Sequence, residues 1–207
     1  CNTATAAALA DARERYWIDA GIPVIEVITP AARQSVIATR NRHVGVIGTK
    51  ATIQSEAYLR ALAAVPGLTV SQQACPAFVD FVEAGVTTGE EIEAVAREYL
   101  TPLKEAGVDT LILGCTHYPL IAPIIADLMG PEVALIDPGR ETALAARDAL
   151  ASAGLLREGR AGTARYYVSD TTESFAQLSD WFLGEYAGGP VTRISVDGYP
   201  VEQGAST

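Results

Sequence analysis

Two short runs, VGVIGT (44–49) and DTLILGC (109–115), constrain this chain more than anything else in it. Each is apolar on consecutive positions, rich in β-branched or leucine side chains, and bounded by turn residues. That is the pattern of a strand buried on both faces of a parallel sheet. PVIEVI (23–28), a stretch near Leu68 to Ser71, VALID (133–137), RYYVSD (165–170) and TRISV (192–196) read as further strands. Between them lie helical stretches: Thr52 to Ala64, Gly89 to Ala106, LIAPIIADLM (120–129), Glu141 to Ala153 and Glu173 to Leu183. The opening CNTATAAALADARERYWIDAG reads as a loop with capping residues Asn2, Thr3 and Thr5, then helix as far as Gly21. Strand and helix alternate throughout, so the chain is expected to be α/β with parallel sheets. ACPAFVDFVEAG is expected to be loop, and Val201 to Thr207 has the composition of a loose terminus.

Composition removes several functional classes. At 207 residues with 49% hydrophobic content, the chain can bury one large α/β core or two small ones. Twenty-five acidic against fifteen basic residues give a net charge of −10, so a phosphate backbone is repelled and nucleic acid is not expected as a partner. No run approaches the roughly 20 apolar residues of a membrane-spanning helix, and the first residues lack the basic-then-apolar order of a signal peptide. A cytoplasmic protein with no membrane partner is the expectation. Three cysteines, none in a CxxC or CxxH spacing, suit neither a disulfide framework nor zinc. Only two histidines exist, which excludes a three-histidine metal site.

The strongest site signal is GCTHYPL (114–120). Open parallel sheets bind ligands beyond the carboxyl ends of their strands, and this segment puts Cys115, Thr116 and His117 at such an end. Gly114 lets backbone approach closely. Thr116 donates from hydroxyl and amide, and the start of the next helix favours an anion or a thiolate. A lone cysteine at a strand end is ordinarily an inert core thiol; the threonine and histidine beside it reverse that reading for Cys115. Cys75, before Pro76 and without a nearby histidine, reads as structural. His43 reads as a satisfied histidine among Arg40, Asn41 and Arg42, and Lys50 as a solvated lysine. CNTATAAAL and CTHYPLIAPII each run from a cysteine and a threonine into a helix, 114 positions apart (115 minus 1), a spacing that suits a diverged internal duplication.

CNTATA, GVIGTKATI, ACPAFVDFVEAG and GCTHYPLI stand in the order and at about the spacing of the motifs of glutamate racemases. The resemblance runs from Cys1 to about Glu141, and GCTHYPL points to the glutamate branch of the Asp/Glu racemase superfamily. It implies two similar α/β domains with parallel, flavodoxin-like sheets facing across a cleft. Residues 1–30 plus 155–207 would belong to a first domain, incomplete here, and 31–154 to the second. It further implies cofactor-independent interconversion of L- and D-glutamate, without pyridoxal phosphate or metal, supplying D-glutamate for peptidoglycan. Cys1 would take the α-proton of D-glutamate and Cys115 that of L-glutamate. His117 and Glu83 would tune the thiols, and Asn2, Thr3, Thr116 and His117 would hold the substrate. The resemblance also allows a homodimer. Physical chemistry agrees with this division of labour, because inversion needs a base on one face of the α-carbon and an acid on the other, and two thiols can exchange those roles.

Aspartate or a related amino acid is the alternative substrate. Outside racemisation, a first-residue cysteine is compatible with an N-terminal acyl-transfer nucleophile, although alternating strand and helix argue against the antiparallel sandwich usual in such hydrolases. A lipid-modified terminus normally carries a polar tether, whereas here a helix follows at once. A regulatory variant keeping the racemase ancestry is a further reading.

The family pattern has an opening strand with an Asp-Ser-Gly segment and a Pro-Tyr-Gly-type loop, neither of which occurs ahead of Cys1. The 207-residue chain by itself is therefore expected to be inactive or nearly so, because a domain lacking those strands leaves backbone and apolar groups unpaired. Measured racemisation by a 207-residue product of verified mass would contradict this.

Overall fold

The structure, a computed structural model, describes residues 1–157, 159, 162–169, 172–184 and 189–195. By internal contacts the chain divides into two compact units, Cys1–Leu156 and Arg157–Thr207. The first is built on four parallel strands: β1 (His43–Gly48), β2 (Thr69–Ala74), β3 (Thr110–Gly114) and β4 (Ala134–Ile136), in the spatial order β2-β1-β3-β4. β1 pairs with β2 from His43↔Thr69 to Gly48↔Ala74 and with β3 from Val44↔Thr110 to Gly48↔Gly114. All four strands run the same way, so Gly48, Ala74, Gly114 and Ile136 end on one edge of the sheet.

The two-residue period of a strand divides the core in two. On one face Ile47, Leu111 and Leu113 pack with α6 (Glu90–Glu105) through Ile92, Ala96, Leu100 and Leu103, and with α7 (Ala122–Met129) through Ile125 and Met129. On the other, Val44, Val46, Ile112 and Ile136 meet Ile28, Ala31 and Ala32 of α2 (Ile28–Ala38) and Tyr58 and Leu62 of α4 (Ala57–Leu62). The 4-4-3 spacing on α6 is the apolar stripe of an amphipathic helix. Its first turn carries Glu90, Glu91 and Glu93, which suit the positive end of the dipole.

Alternating strand and helix, β1, β3 and α6 stand as expected from sequence. Four local expectations do not. PVIEVI is not a strand: residues 23–26 run without regular structure into α2, because Glu26 takes the role of a cap, its carboxylate accepting from the amides of Ile28 at 2.6 Å and Thr29 at 3.0 Å. The single helix expected from Thr52 to Ala64 is two, α3 (Lys50–Gln54) and α4, broken at Glu56, which has a left-handed φ of 53°. There Ser55 Oγ bonds the Thr52 carbonyl at 2.6 Å and accepts from the Ala57 amide, an alternative to the helical ladder. The loop expected after Cys75 contains a helix, α5 (Ala77–Glu83). The opening helix α1 (Asn2–Ala12) continues as a π-helical stretch from Arg13 to Ile18.

α8 (Pro138–Ser152) completes the first unit. The second unit holds β5 (Tyr166–Val168) parallel to β6 (Val191–Arg193), and α9 (Thr172–Leu183). Asp170, Val196 and the tail from Val201 lie outside the described residues.

Gly114 is where β1 and β3 lie too close for a side chain: a Cβ there would stand 2.6 Å from the Ile47 carbonyl oxygen. Gly114→Ala is expected to lower stability by about 1–3 kcal/mol, the range for overpacking, and a denaturant midpoint equal to wild type would contradict the close approach.

Candidate active site

Strand order 2-1-3-4 reverses direction between β1 and β3, so connections leave these two neighbours for opposite sides and open a crevice at their carboxyl ends. Cys115 and Thr116 follow β3 there, and Thr49 follows β1. A tight turn ends β3: the Cys115 amide donates to Leu113 O at 2.8 Å, and the Tyr118 amide to Cys115 O at 3.2 Å.

Around Cys115 the side chains form a line. Its Sγ lies 3.6 Å from His117 Nδ1, Thr116 Oγ1 is 3.4 Å from the same nitrogen, and His117 Nε2 is 3.1 Å from Glu83 Oε1. Glu83 comes from the far end of α5, 34 residues earlier in the chain. Aromatic packing places it: Phe78 of α5 stands edge-on to Tyr118 at 5.4 Å, and Tyr118 Oη donates to the Cys75 carbonyl at 2.8 Å. The carboxylate orients the imidazole, and the imidazole in turn faces the thiol.

Burial, the largest influence, pushes the Cys115 thiol up from its ordinary value. Opposing it are the backbone amide of His117 and the hydroxyl and amide of Thr116, which favour thiolate. The start of α1 lies near Cys115. Cys1 itself is exposed.

The residues after Cys1 are anchored to the sheet. Thr3 Oγ1 is 3.0 Å from Thr49 Oγ1 and 3.1 Å from Thr52 Oγ1, and Thr49 caps α3 by accepting from the Thr52 amide. Asn2, buried at 3% exposure, accepts at Oδ1 from Tyr58 Oη at 2.6 Å. Cys115, Thr116, His117 and Glu83 are thus joined directly, while Asn2 and Thr3 meet partners that sequence reasoning did not single out: Tyr58, Thr49 and Thr52. The one signal for the two threonines was GTKAT at the end of an apolar run; nothing local marked Tyr58.

Residues read as structural lie elsewhere. Cys75 is fully buried and its thiol is pushed far up by desolvation. His43 sits at the opening of β1, at the other end from the crevice, with Nε2 2.8 Å from Ser71 Oγ. Lys50 is exposed at the start of α3. Among the described residues no cluster of histidine, cysteine or carboxylate groups is arranged for a metal, and no helix is long and apolar enough to cross a membrane.

A family model described as Asp/Glu/Hydantoin racemase matches residues 1–146, the part that carries all of these groups. The chain belongs to this family. Among curated relatives, glutamate racemase of Saccharopolyspora erythraea is 49% identical over 185 residues, covering 89% of this chain and 67% of that protein. Glutamate racemase of Mycobacterium leprae is 49% identical over 191 residues, covering 91% and 69%. The chain therefore spans about two thirds of the length of these relatives. Among solved structures, a glutamate racemase isoform from Bacillus anthracis superposes with a TM-score of 0.83 at 35% identity over 95% of this chain and 72% of that one. Glutamate racemase from Francisella tularensis, solved in complex with D-glutamate, gives 0.82 at 35% identity over 96% and 73%. The mixed α/β fold with its parallel sheet is that of these racemases, and the chain is an amino-acid racemase, an isomerase, of the glutamate branch.

The three thiols differ enough in environment to be separated chemically. With iodoacetamide, alkylation followed by peptide mass is expected to be readily seen at Cys1 and absent at Cys75. At Cys115 its rate should rise with pH to a midpoint above the ordinary thiol value of about 8.5, because burial outweighs the amides and the hydroxyl near it. A Cys115 midpoint below that value would contradict the ordering of these effects.

Proposed function

We propose that Cys1 and Cys115 are the two proton-transfer groups of a glutamate racemisation that needs neither pyridoxal phosphate nor metal. The observation carrying this reading is the Cys115–His117–Glu83 line at the β1/β3 crevice, with Cys1 at the start of α1 near it. One thiolate takes the α-hydrogen from one face of the substrate as a proton. The electron pair left behind spreads into the α-carboxylate, and the other thiol delivers its proton to the opposite face. The product is the enantiomer, with the two cysteines' protonation states exchanged, so the same pair serves the reverse reaction.

Asn2, Thr3 and Thr116 hold the substrate's ammonium and carboxylate groups in place between the two thiols. His117 and Glu83 hold the Cys115 side ready to accept or return a proton. The same reading keeps residues 1–30 and 155–207 as parts of a first domain and 31–154 as the second. It also gives the protein a cytoplasmic role in providing D-glutamate for peptidoglycan and hence for cell wall and cell shape.

The test uses the full-length protein with L-glutamate in heavy water and no added cofactor, following optical rotation and α-deuterium. Loss of rotation with deuterium in the D-product is expected. Cys115→Ala should abolish exchange from L-glutamate and Cys1→Ala exchange from D-glutamate, each lowering overall racemisation by at least about 100-fold, the lower end of what a positioned acid or base contributes. Racemisation without solvent deuterium, or unaffected by either substitution, would refute the assignment.

A further inference from the structure

We infer that Tyr58 is a positioning residue for substrate recognition: it holds Asn2 in the one amide orientation that turns an NH2 group, not a carbonyl oxygen, toward the substrate carboxylate. The inference rests on the racemase reading above and adds to it which end of Asn2 faces the ligand and which residue decides it.

An asparagine amide has a donor end and an acceptor end of nearly the same shape, and a half-turn of its side chain exchanges them. Beside a carboxylate the choice decides between attraction and repulsion. Asn2 stands next to Cys1 at the start of α1 and is almost wholly buried. Its Oδ1 accepts from Tyr58 Oη at 2.6 Å. Tyr58 is itself completely buried on α4, its ring packed in the core cluster that includes Val44, Val46 and Ile112. It can neither withdraw nor swing away without opening that core.

Two influences keep the phenol a donor. Burial strongly disfavours phenolate, and the Glu26 carboxylate adds to the same effect. With Oδ1 occupied, Nδ2 is the end left over. No hydrogen bond among the described residues engages it, and it is not among the side-chain atoms that are both sealed from solvent and unpartnered. A flipped amide could still donate to the Tyr58 oxygen, but the buried O–H would lose the acceptor it has in Asn2 Oδ1.

The experiment is steady-state kinetics of the full-length enzyme and of Tyr58→Phe, with α-deuterium exchange measured in parallel. Removing one oxygen keeps the ring and the packing. KM for glutamate is expected to rise about 10-fold, the loss of one oriented hydrogen bond, with kcat within about 2-fold, since the orientation serves bound substrate and transition state alike. An unchanged KM with only a lowered melting temperature would overturn the inference, because a merely structural tyrosine predicts that outcome, and so would a fall in kcat at constant KM. Asn2→Asp gives an independent reading if Tyr58→Phe does not fold. It still accepts from Tyr58 but presents an anionic oxygen in place of the NH2, so glutamate binding should weaken by more than the phenylalanine variant shows. Binding equal to or tighter than wild type would mean that Asn2 faces the substrate ammonium, and would also overturn it. Absence of deuterium exchange in the wild-type enzyme would instead refute the racemase reading itself.

Discussion

The backbone contact between β1 and β3 is the constraint on which the rest depends. Parallel pairing from Val44↔Thr110 to Gly48↔Gly114 brings two glycine-ended strands so close that a side chain at Gly114 would meet the Ile47 carbonyl. Both strands are buried on both faces, and their side chains alternate between two apolar cores. Once their carboxyl ends lie side by side, the loops leaving them must diverge. The crevice between those loops gathers Thr49, Thr52, Cys115 and Thr116 without any of them being near another pair in sequence. Chemistry here is a consequence of strand order.

What surrounds Cys115 shows how opposing effects are set against each other. Desolvation alone would leave an inert thiol, as it does at Cys75, whose sulfur makes a long contact to the Gln73 carbonyl. At Cys115 backbone amides and the Thr116 hydroxyl act against the same penalty, and a histidine backed by a carboxylate faces the thiol. Under the proposal that Cys115 both takes and returns a proton, such opposition suits it, since extreme stabilisation of either form would slow one of the two directions. Residues far from the reacting atoms contribute to the arrangement: Phe78 and Tyr118 hold α5 so that Glu83 reaches His117. Tyr58 spans from a buried helix to Asn2.

Read from the amino acids alone, the α/β class, the strands at 44–49 and 109–115, the helix from Glu90 and the place of Cys115, Thr116 and His117 just beyond a strand end were all legible. These are local properties. Consecutive β-branched or leucine residues, apolar positions repeating every three or four, and a cysteine between glycine and threonine at a strand end carry their meaning within a dozen positions. Where local signals competed, the reading went astray. The apolar run at 23–28 looked like a strand because nothing in it showed that Glu26 would fold back to cap the next helix. The break at Glu56 rests on a serine hydroxyl preferring the backbone of the preceding turn.

Sequence by itself determined that this chain alternates strand and helix around a parallel sheet, and that Cys115 follows the end of one of its strands. Tertiary structure alone decided that Glu83 stands beside His117, that Tyr58 supports Asn2, and that Thr3 meets Thr49 and Thr52. These pairs are separated by 34, 56, 46 and 49 residues. No residue-level preference encodes such separations, because they arise from the order in which strands take their places in the sheet. That order follows from burying both faces of β1 and β3 at once, a property of the whole core and of no single segment.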